Sequence, residues 1–136
     1  MEVFRALRLY DVTADSEEHE EFVNPEQWSD FLLQVRRAGE LFGFLSGNLL
    51  EDGKVAEIAL GMRPDLTGQG LGLMFMRHNL EWIKQAYPVK NIRLAVAAFN
   101  RRGITVYERS GFRSVRNFIQ QTNGGEHEFV EMIYTV

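Results

Sequence analysis

The chain has no cysteine among its 136 residues. That excludes a disulfide framework, a thiol nucleophile and a thiolate metal site. No apolar run approaches the ~18 residues that a membrane-crossing helix needs. The opening MEVFRALRLY lacks the long apolar core and cleavage site of a secretory signal. A cytoplasmic location and no membrane partner are therefore expected. A basic surplus is missing too: 15 Lys and Arg against 19 Asp and Glu give a net charge of −4. Nonspecific nucleic-acid binding needs a basic surface, so no nucleic-acid partner is expected. His19, His78 and His127 show no metal-ligand spacing, and no metal is expected. What remains is the composition of an ordinary globular protein, with enough length for one domain and one core over residues 1–136.

The most informative stretch is Glu57 to Met76, EIALGMRPDLTGQGLGLMFM. Ile58-Ala59-Leu60-Gly61-Met62 is short and apolar enough for one buried strand. Pro64 ends it, having no amide hydrogen to give to a ladder. Gly68, Gly70 and Gly72 then alternate, and Leu71, Met74, Phe75, Leu80 and Ile83 fall at helical spacing. The order is strand, glycine loop, helix. The first amides of a helix have no partner inside it, and the helix dipole adds positive charge there. A glycine loop leading into such an end exposes N–H groups to a bulky anion. Thr67 to Gly72 is thus a candidate phosphate cradle, best suited to a pyrophosphate. It is not a Walker loop, since no Gly-Lys-Ser/Thr ends it. It is not the dinucleotide fingerprint GxGxxG either, since Leu73 stands where a third glycine belongs.

The rest of the chain reads as follows. Residues 1–10 alternate weakly, as a short strand or a helix. The acids of residues 11–26 make a solvated face or an acidic lip over an amine pocket. Residues 24–39 carry two patterns. Asn24-Pro25 with Trp28, Phe31, Leu32 and Val35 fits a capped helix; Phe31 to Val35 with a turn at Ala38-Gly39-Glu40 and a return at Leu41 to Leu45 fits a hairpin. Glu51-Asp52-Gly53-Lys54 is a turn into the strand Val55 to Met62. The helix over 70–86 stops before Pro88, and a strand follows within Asn91 to Phe99. Asn100 caps a helix over 101–110, which Gly111 ends. Phe112 to Gln121 and Glu128 to Val136 are two closing strands around Asn123-Gly124-Gly125.

Two blocks resemble one family. Met62-Arg63-Pro64 with Thr67-Gly68-Gln69-Gly70-Leu71-Gly72 is similar to motif A of the GNAT superfamily of acetyl-CoA-dependent N-acetyltransferases. Asn100-Arg101-Arg102-Gly103-Ile104-Thr105-Val106-Tyr107-Glu108-Arg109-Ser110-Gly111-Phe112 resembles its N-x-R-A-x-x-x-Y-x-x-x-G-F block. Both stand in the family's order, and together they cover roughly residues 40–120. Thr67 departs from the usual Gln or Arg, and Gly103 from the usual Ala.

The resemblance implies an α+β fold, an α/β/α sandwich. A mixed, mostly antiparallel sheet of about six strands is flanked by helices, and a splayed strand pair forms the acetyl-CoA slot. A bulge at Gly61 would open that slot. The hairpin reading of residues 31–45 is favoured. Residues 1–22 match the family poorly, as though the first strand were shortened or supplied by a partner; an open edge would invite a homodimer. The implied reaction is acetyl transfer from acetyl-CoA to a primary amine of a small molecule or protein. Main-chain groups near Leu60 and Met62 would pair with the pantetheine arm, and the amides of Thr67, Gly68, Gln69, Gly70, Leu71 and Gly72 would take the pyrophosphate. Asn100 would bond the pantetheine, cap its helix, or both. Tyr107 is the candidate general acid, or a packing residue; Glu57 is the candidate base, directly or through water, or an exposed strand-end carboxylate. Trp28, Tyr10 and Phe44 are candidates to line an acceptor pocket. The alternative is a non-catalytic acyl-CoA-binding or regulatory module on the same fold.

Overall fold

A computed structural model describes residues 2–5, 29–122 and 124–136. Seven strands form one sheet: β1 (Glu2–Arg5), β2 (Phe31–Arg37), β3 (Glu40–Leu50), β4 (Val55–Met62), β5 (Asn91–Ala97), β6 (Arg113–Thr122) and β7 (Gly125–Thr135). Helix α1 (Gly72–Ala86) joins β4 to β5, and α2 (Arg101–Ser110) joins β5 to β6. The strand order is β1-β2-β3-β4-β5-β7-β6. Among the described strands only β4 and β5 run parallel; every other neighbouring pair is antiparallel. The expected mixed sheet is what forms, with β1 beyond the six strands anticipated.

Local chemistry explains most of the boundaries. The hairpin prevails over the helix in residues 31–45 because Ala38 and Gly39 both take positive φ, 53° and 81°, closing a tight two-residue turn. Phe31, Leu33 and Val35 then share one face and are fully buried there. The β3–β4 turn is longer, spanning residues 51–54, with Glu51, Asp52 and Gly53 all at positive φ. Asn100 accepts the Gly103 amide at 2.9 Å and so caps α2. Gly111, at φ 112°, ends that helix in the left-handed conformation.

Phe75, Met76, Leu80 and Ile83 form the buried stripe of α1. Met76 takes the inward place expected of Met74, which is exposed. Phe75 packs on Val35 and Phe42, and Met76, Leu80 and Ile83 pack on Phe31, Leu33, Leu45, Ile58, Ile92, Leu94 and Met132. Ile104, Val106 and Tyr107 of α2 pack against the same core, so both described helices cover one face of the sheet. Helices on the other face of the sheet, which the expected sandwich calls for, are not among the described residues. Tyr10, His19, Trp28 and the acidic stretch of residues 11–26 also lie outside the described residues. Among the described residues no helix is long and apolar enough to cross a membrane.

The strand pairings decide two open points. The first strand is present, shortened to four residues: β1 pairs antiparallel with β2 from Glu2↔Arg36 to Arg5↔Leu33. It covers the β2 edge from within the chain. Its four residues were too few to show a period. The expected bulge at Gly61 is absent, since β3 and β4 stay in one register from Leu50↔Val55 to Gly43↔Met62. Glycine is needed at 61 for another reason: the ring of Phe44, its partner across the ladder, lies where a Cβ would be, 2.7 Å away.

The splay arises earlier in the strand. β4 and β5 share three rungs, Val55↔Asn91, Ala56↔Ile92 and Glu57↔Arg93. Beyond them β4 stays with β3, and β5 stays with β7 as far as Ala97↔Phe129. Each strand keeps its antiparallel neighbour, and the parallel pairing, slightly weaker per residue, gives way. The sheet opens as a V whose vertex is Glu57 and Arg93.

Candidate active site

The opening is bounded by the turn that leaves β4. The Arg63 amide donates to Phe42 O at 2.9 Å and the Leu66 amide to Arg63 O at 2.9 Å, shaping a 3-10 turn over Pro64–Leu66. The Arg63 guanidinium forks onto Asp65, with Nε–Oδ1 at 2.6 Å and Nη2–Oδ2 at 2.9 Å, and reaches back to Leu41 O at 3.1 Å. That hydrogen-bonded fork holds the Asp65 carboxyl below its usual range. The Gln69 side chain turns inward and donates to Asp65 O at 2.6 Å. Gly68 and Gly70 take positive φ, 77° and 75°, which a residue with a Cβ adopts only under strain. The loop delivers its amides into the start of α1, where N-cap Leu71 makes no side-chain cap hydrogen bond. The first-turn amides are left as donors for an anion.

A cavity of about 820 Å³ runs along this loop, lined by Leu60, Gly61 and Met62 of β4, by Thr67, Gly68, Gly70 and Gly72, and by α2 from Arg101 to Arg109. Asn100 and Tyr107 lie on its wall. The structure thus brings together eight of the anticipated residues: Leu60, Met62, Thr67, Gly68, Gly70, Gly72, Asn100 and Tyr107. Three others stand apart from the lining. Gln69 is folded onto Asp65, and Leu71 packs with Val35, Phe42 and Phe75. Glu57 is exposed on the sheet face opposite the helices, where Arg93 donates to its Oε2 from Nε at 3.2 Å and from Nη2 at 2.9 Å.

Tyr107 is mostly buried, its ring 6.0 Å from that of Phe112, and burial pushes its phenol above the ordinary value of 10.0. The hydroxyl is therefore protonated at neutral pH. Asn100 both caps α2 and lines the cavity, so its two anticipated roles coexist. Gly103 accounts for its own departure from the family pattern: a Cβ there would come within 2.7 Å of Asn100 Nδ2. His78 does not line the cavity; burial lowers its pKa.

The sequence reading missed the arginines. Arg101, Arg102 and Arg109 line the same cavity. Arg102 Nη1 lies 3.2 Å from the place a Cβ on Gly68 would occupy, so the guanidinium rests against the glycine loop. In a chain of net charge −4 this is a local concentration of positive charge. The signal was present in Asn100-Arg101-Arg102, but only the tertiary fold sets α2 beside the loop. Among the described residues no three His, Asp or Glu side chains gather as a metal site.

The sheet of described strands thus splits at its parallel pair, with the glycine loop and a basic helix flanking the split. The profile of the acetyltransferase (GNAT) family matches residues 2–112, and the chain belongs to that family. No curated protein matches the sequence. Among solved structures, the chain is similar to spermidine N-acetyltransferase SpeG from Vibrio cholerae, determined in complex with CoA and spermine. The TM-score is 0.70 at 20% identity, over 77% of this chain and 64% of that one. Ribosomal-protein-alanine N-acetyltransferase from Brucella melitensis gives 0.67 at 19% identity, over 78% of this chain and 68% of that one. A structure provisionally assigned as a phosphinothricin N-acetyltransferase gives 0.78 at 15% identity, over 99% of this chain and 98% of that one.

Proposed function

We propose that this chain is a single-domain, cytoplasmic N-acetyltransferase that uses acetyl-CoA and a primary amine, by direct attack and without a metal. The observation that carries the reading is the V between β4 and β5, which opens beside an arginine-lined cavity running from the glycine loop to Tyr107. Acetyl-CoA supplies the acetyl group as a thioester. The residues present fit it: the loop has the open positive-φ glycines and uncapped helix start that a pyrophosphate needs, and Arg102 lies beside them. Beyond Glu57 the β5 side of β4 has no rung with β5, so backbone groups near Leu60 and Met62 face the opening as an edge for the pantetheine amides.

The chain's own groups then divide the work. Glu57, at the vertex, takes one proton from the ammonium of the acceptor, directly or through water, and passes it to solvent. The neutral amine forms the new N–C bond as the C–S bond breaks. Tyr107 Oη gives its proton to the sulfur and regains one as the nitrogen loses its second. The balance is thioester plus ammonium giving amide, thiol and one proton. The acceptors named for the neighbouring structures, a polyamine, a ribosomal protein and an amino-acid-like compound, are the first amines to try.

One observation favours the non-catalytic alternative: Glu57 is engaged by Arg93 outside the cavity lining. The test is the melting temperature with saturating acetyl-CoA, with ATP and NAD as controls, followed by an amine screen. Ligand at a hundred times its dissociation constant adds about 2.7 kcal/mol, a rise of several degrees. A rise with acetyl-CoA and turnover of an amine is expected. A rise without turnover on any amine would leave the binding module; no rise in a cooperatively melting protein would refute both.

A further inference from the structure

Resting on that reading, we infer that the acceptor is an amine carrying a carboxylate next to its amino group, of the α-amino-acid type, and that Arg93 holds the carboxylate while Glu57 faces the amine.

The vertex of the V is built as a half-used ion pair. Arg93 donates to Glu57 from both Nε and Nη2, and both bonds end on the same oxygen, Oε2. Glu57 Oε1 and Arg93 Nη1 take no part in the pair. One carboxylate oxygen and one guanidinium nitrogen are thus left over from the pair, on the last rung before the strands part. The pair is reachable, with side-chain exposures of 51% for Glu57 and 28% for Arg93. Further along the same face of the two arms come Ala59 and Ala95, both exposed and both too short to block an approach. Glu131, opposite Ala95 on this face, is already matched, bonded by Arg116 Nε at 3.0 Å, while Arg113, opposite Ile133 on the outer strand β6, adds a further cation to the same face.

A site of this kind recognises a zwitterion. An ammonium set against Glu57 Oε1 brings a neighbouring carboxylate to Arg93, which binds carboxylates in fixed, charge-assisted geometry. A polyamine gains from Glu57 but presents further positive charge to Arg93, so the same pair that attracts an amino acid rejects it. An uncharged amide in place of the carboxylate loses the charge-assisted contact alone.

The experiment uses the whole chain with the twenty amino acids, the primary amide of each one that reacts, and spermidine. Acetylation is followed at steady state, and binding of the same compounds to the protein with CoA present is followed by calorimetry. An amide's amino group is the less basic and is more often neutral, so basicity alone favours the amide. The expected result is the opposite: an acid preferred about tenfold to a hundredfold, the scale of one charge-assisted bond. Arg93→Gln should erase that preference, raising KM and the dissociation constant for the acid about tenfold to a hundredfold more than those for the amide; any change that reaches the reaction through Glu57 falls on acid and amide equally. Arg93→Lys should restore part of it. Equal use of acid and amide by the wild type would overturn the inference, as would spermidine as the better acceptor, or Arg93→Gln and Arg93→Lys lowering acid and amide alike. These outcomes leave the acetyl-CoA reading standing if acetyl-CoA still raises the melting temperature. If it does not, that reading falls and takes this one with it.

Discussion

Replacing Gly70 by alanine tests whether the loop's backbone conformation is what binds the cofactor. Gly70 sits at φ 75°, and nothing lies within 4 Å of the position a Cβ would take. The substitution is therefore free of steric clash and introduces only backbone strain, about 1–2 kcal/mol for an L residue held left-handed. That strain can appear in two places. If the neighbours held the loop, the folded state would carry it and the melting temperature would fall. Gly70 has no such neighbours, so the free loop will relax by turning its peptide planes away from the arrangement that aims the amides at a phosphate. Binding must then restore the strained conformation, and the dissociation constant for acetyl-CoA should rise by about 5- to 30-fold, the equivalent of the strain. The contrast is Gly43→Ala, where the Cβ would lie 2.4 Å from Gly61 O and 2.8 Å from Phe75 Cζ. There the backbone cannot give, and the cost must fall on stability. Calorimetric titration with acetyl-CoA and thermal melts of the three proteins separate the cases. A Gly70→Ala protein with unchanged affinity and a lowered melting temperature would refute the reasoning. So would a loss well beyond 100-fold, which exceeds what strain of this size can supply.

The remaining predictions concern the chemistry and the anion. Tyr107→Phe should lower kcat by about 10²- to 10⁴-fold, the usual contribution of a general acid, with acetyl-CoA affinity preserved; a parallel loss of affinity would make Tyr107 a packing residue. Its phenol is raised by burial, so the folded protein holds that proton more tightly than the unfolded chain does. Its contribution to stability is then full below about pH 10 and lost as the pH rises through the raised value. Activity should show no falling limb from this group below that pH, and an acid limb near neutrality that vanishes in Tyr107→Phe would contradict the assignment. Arg102→Ala should weaken acetyl-CoA by about tenfold or more and flatten the salt dependence of its binding, since one exposed charge-assisted contact is removed. An unchanged salt slope would mean that the guanidinium only covers Gly68.

Much of this protein was legible along the chain. Strand β4, the glycine loop, α1, the Asn100 cap and the Gly111 stop were all written in local chemistry. An apolar run, a proline, alternating glycines, an amide side chain and an obligatory left-handed residue act over a few neighbours, and sequence shows them directly. The hairpin of residues 31–45 was ambiguous, because Phe31, Leu32 and Val35 satisfy a helical period as well as a strand's. The turn at Ala38 and Gly39 settled it in the structure. The first strand was invisible, since four residues carry no period and β1 is defined by its pairing with β2.

The site divided along the same line. Residues contiguous with the glycine loop or with the Asn100 block could be named in advance, because one segment carries each set. Arg102 beside Gly68, and Glu57 tied to Arg93 at the vertex, join segments more than thirty positions apart. The sequence determined which segments hold backbone amides, a phenol and guanidinium groups. Only the tertiary structure decided where β4 leaves β5, because that point is a contest between each strand's two neighbours. No local pattern records how that contest ends, and with it the place of the opening and the groups that face it.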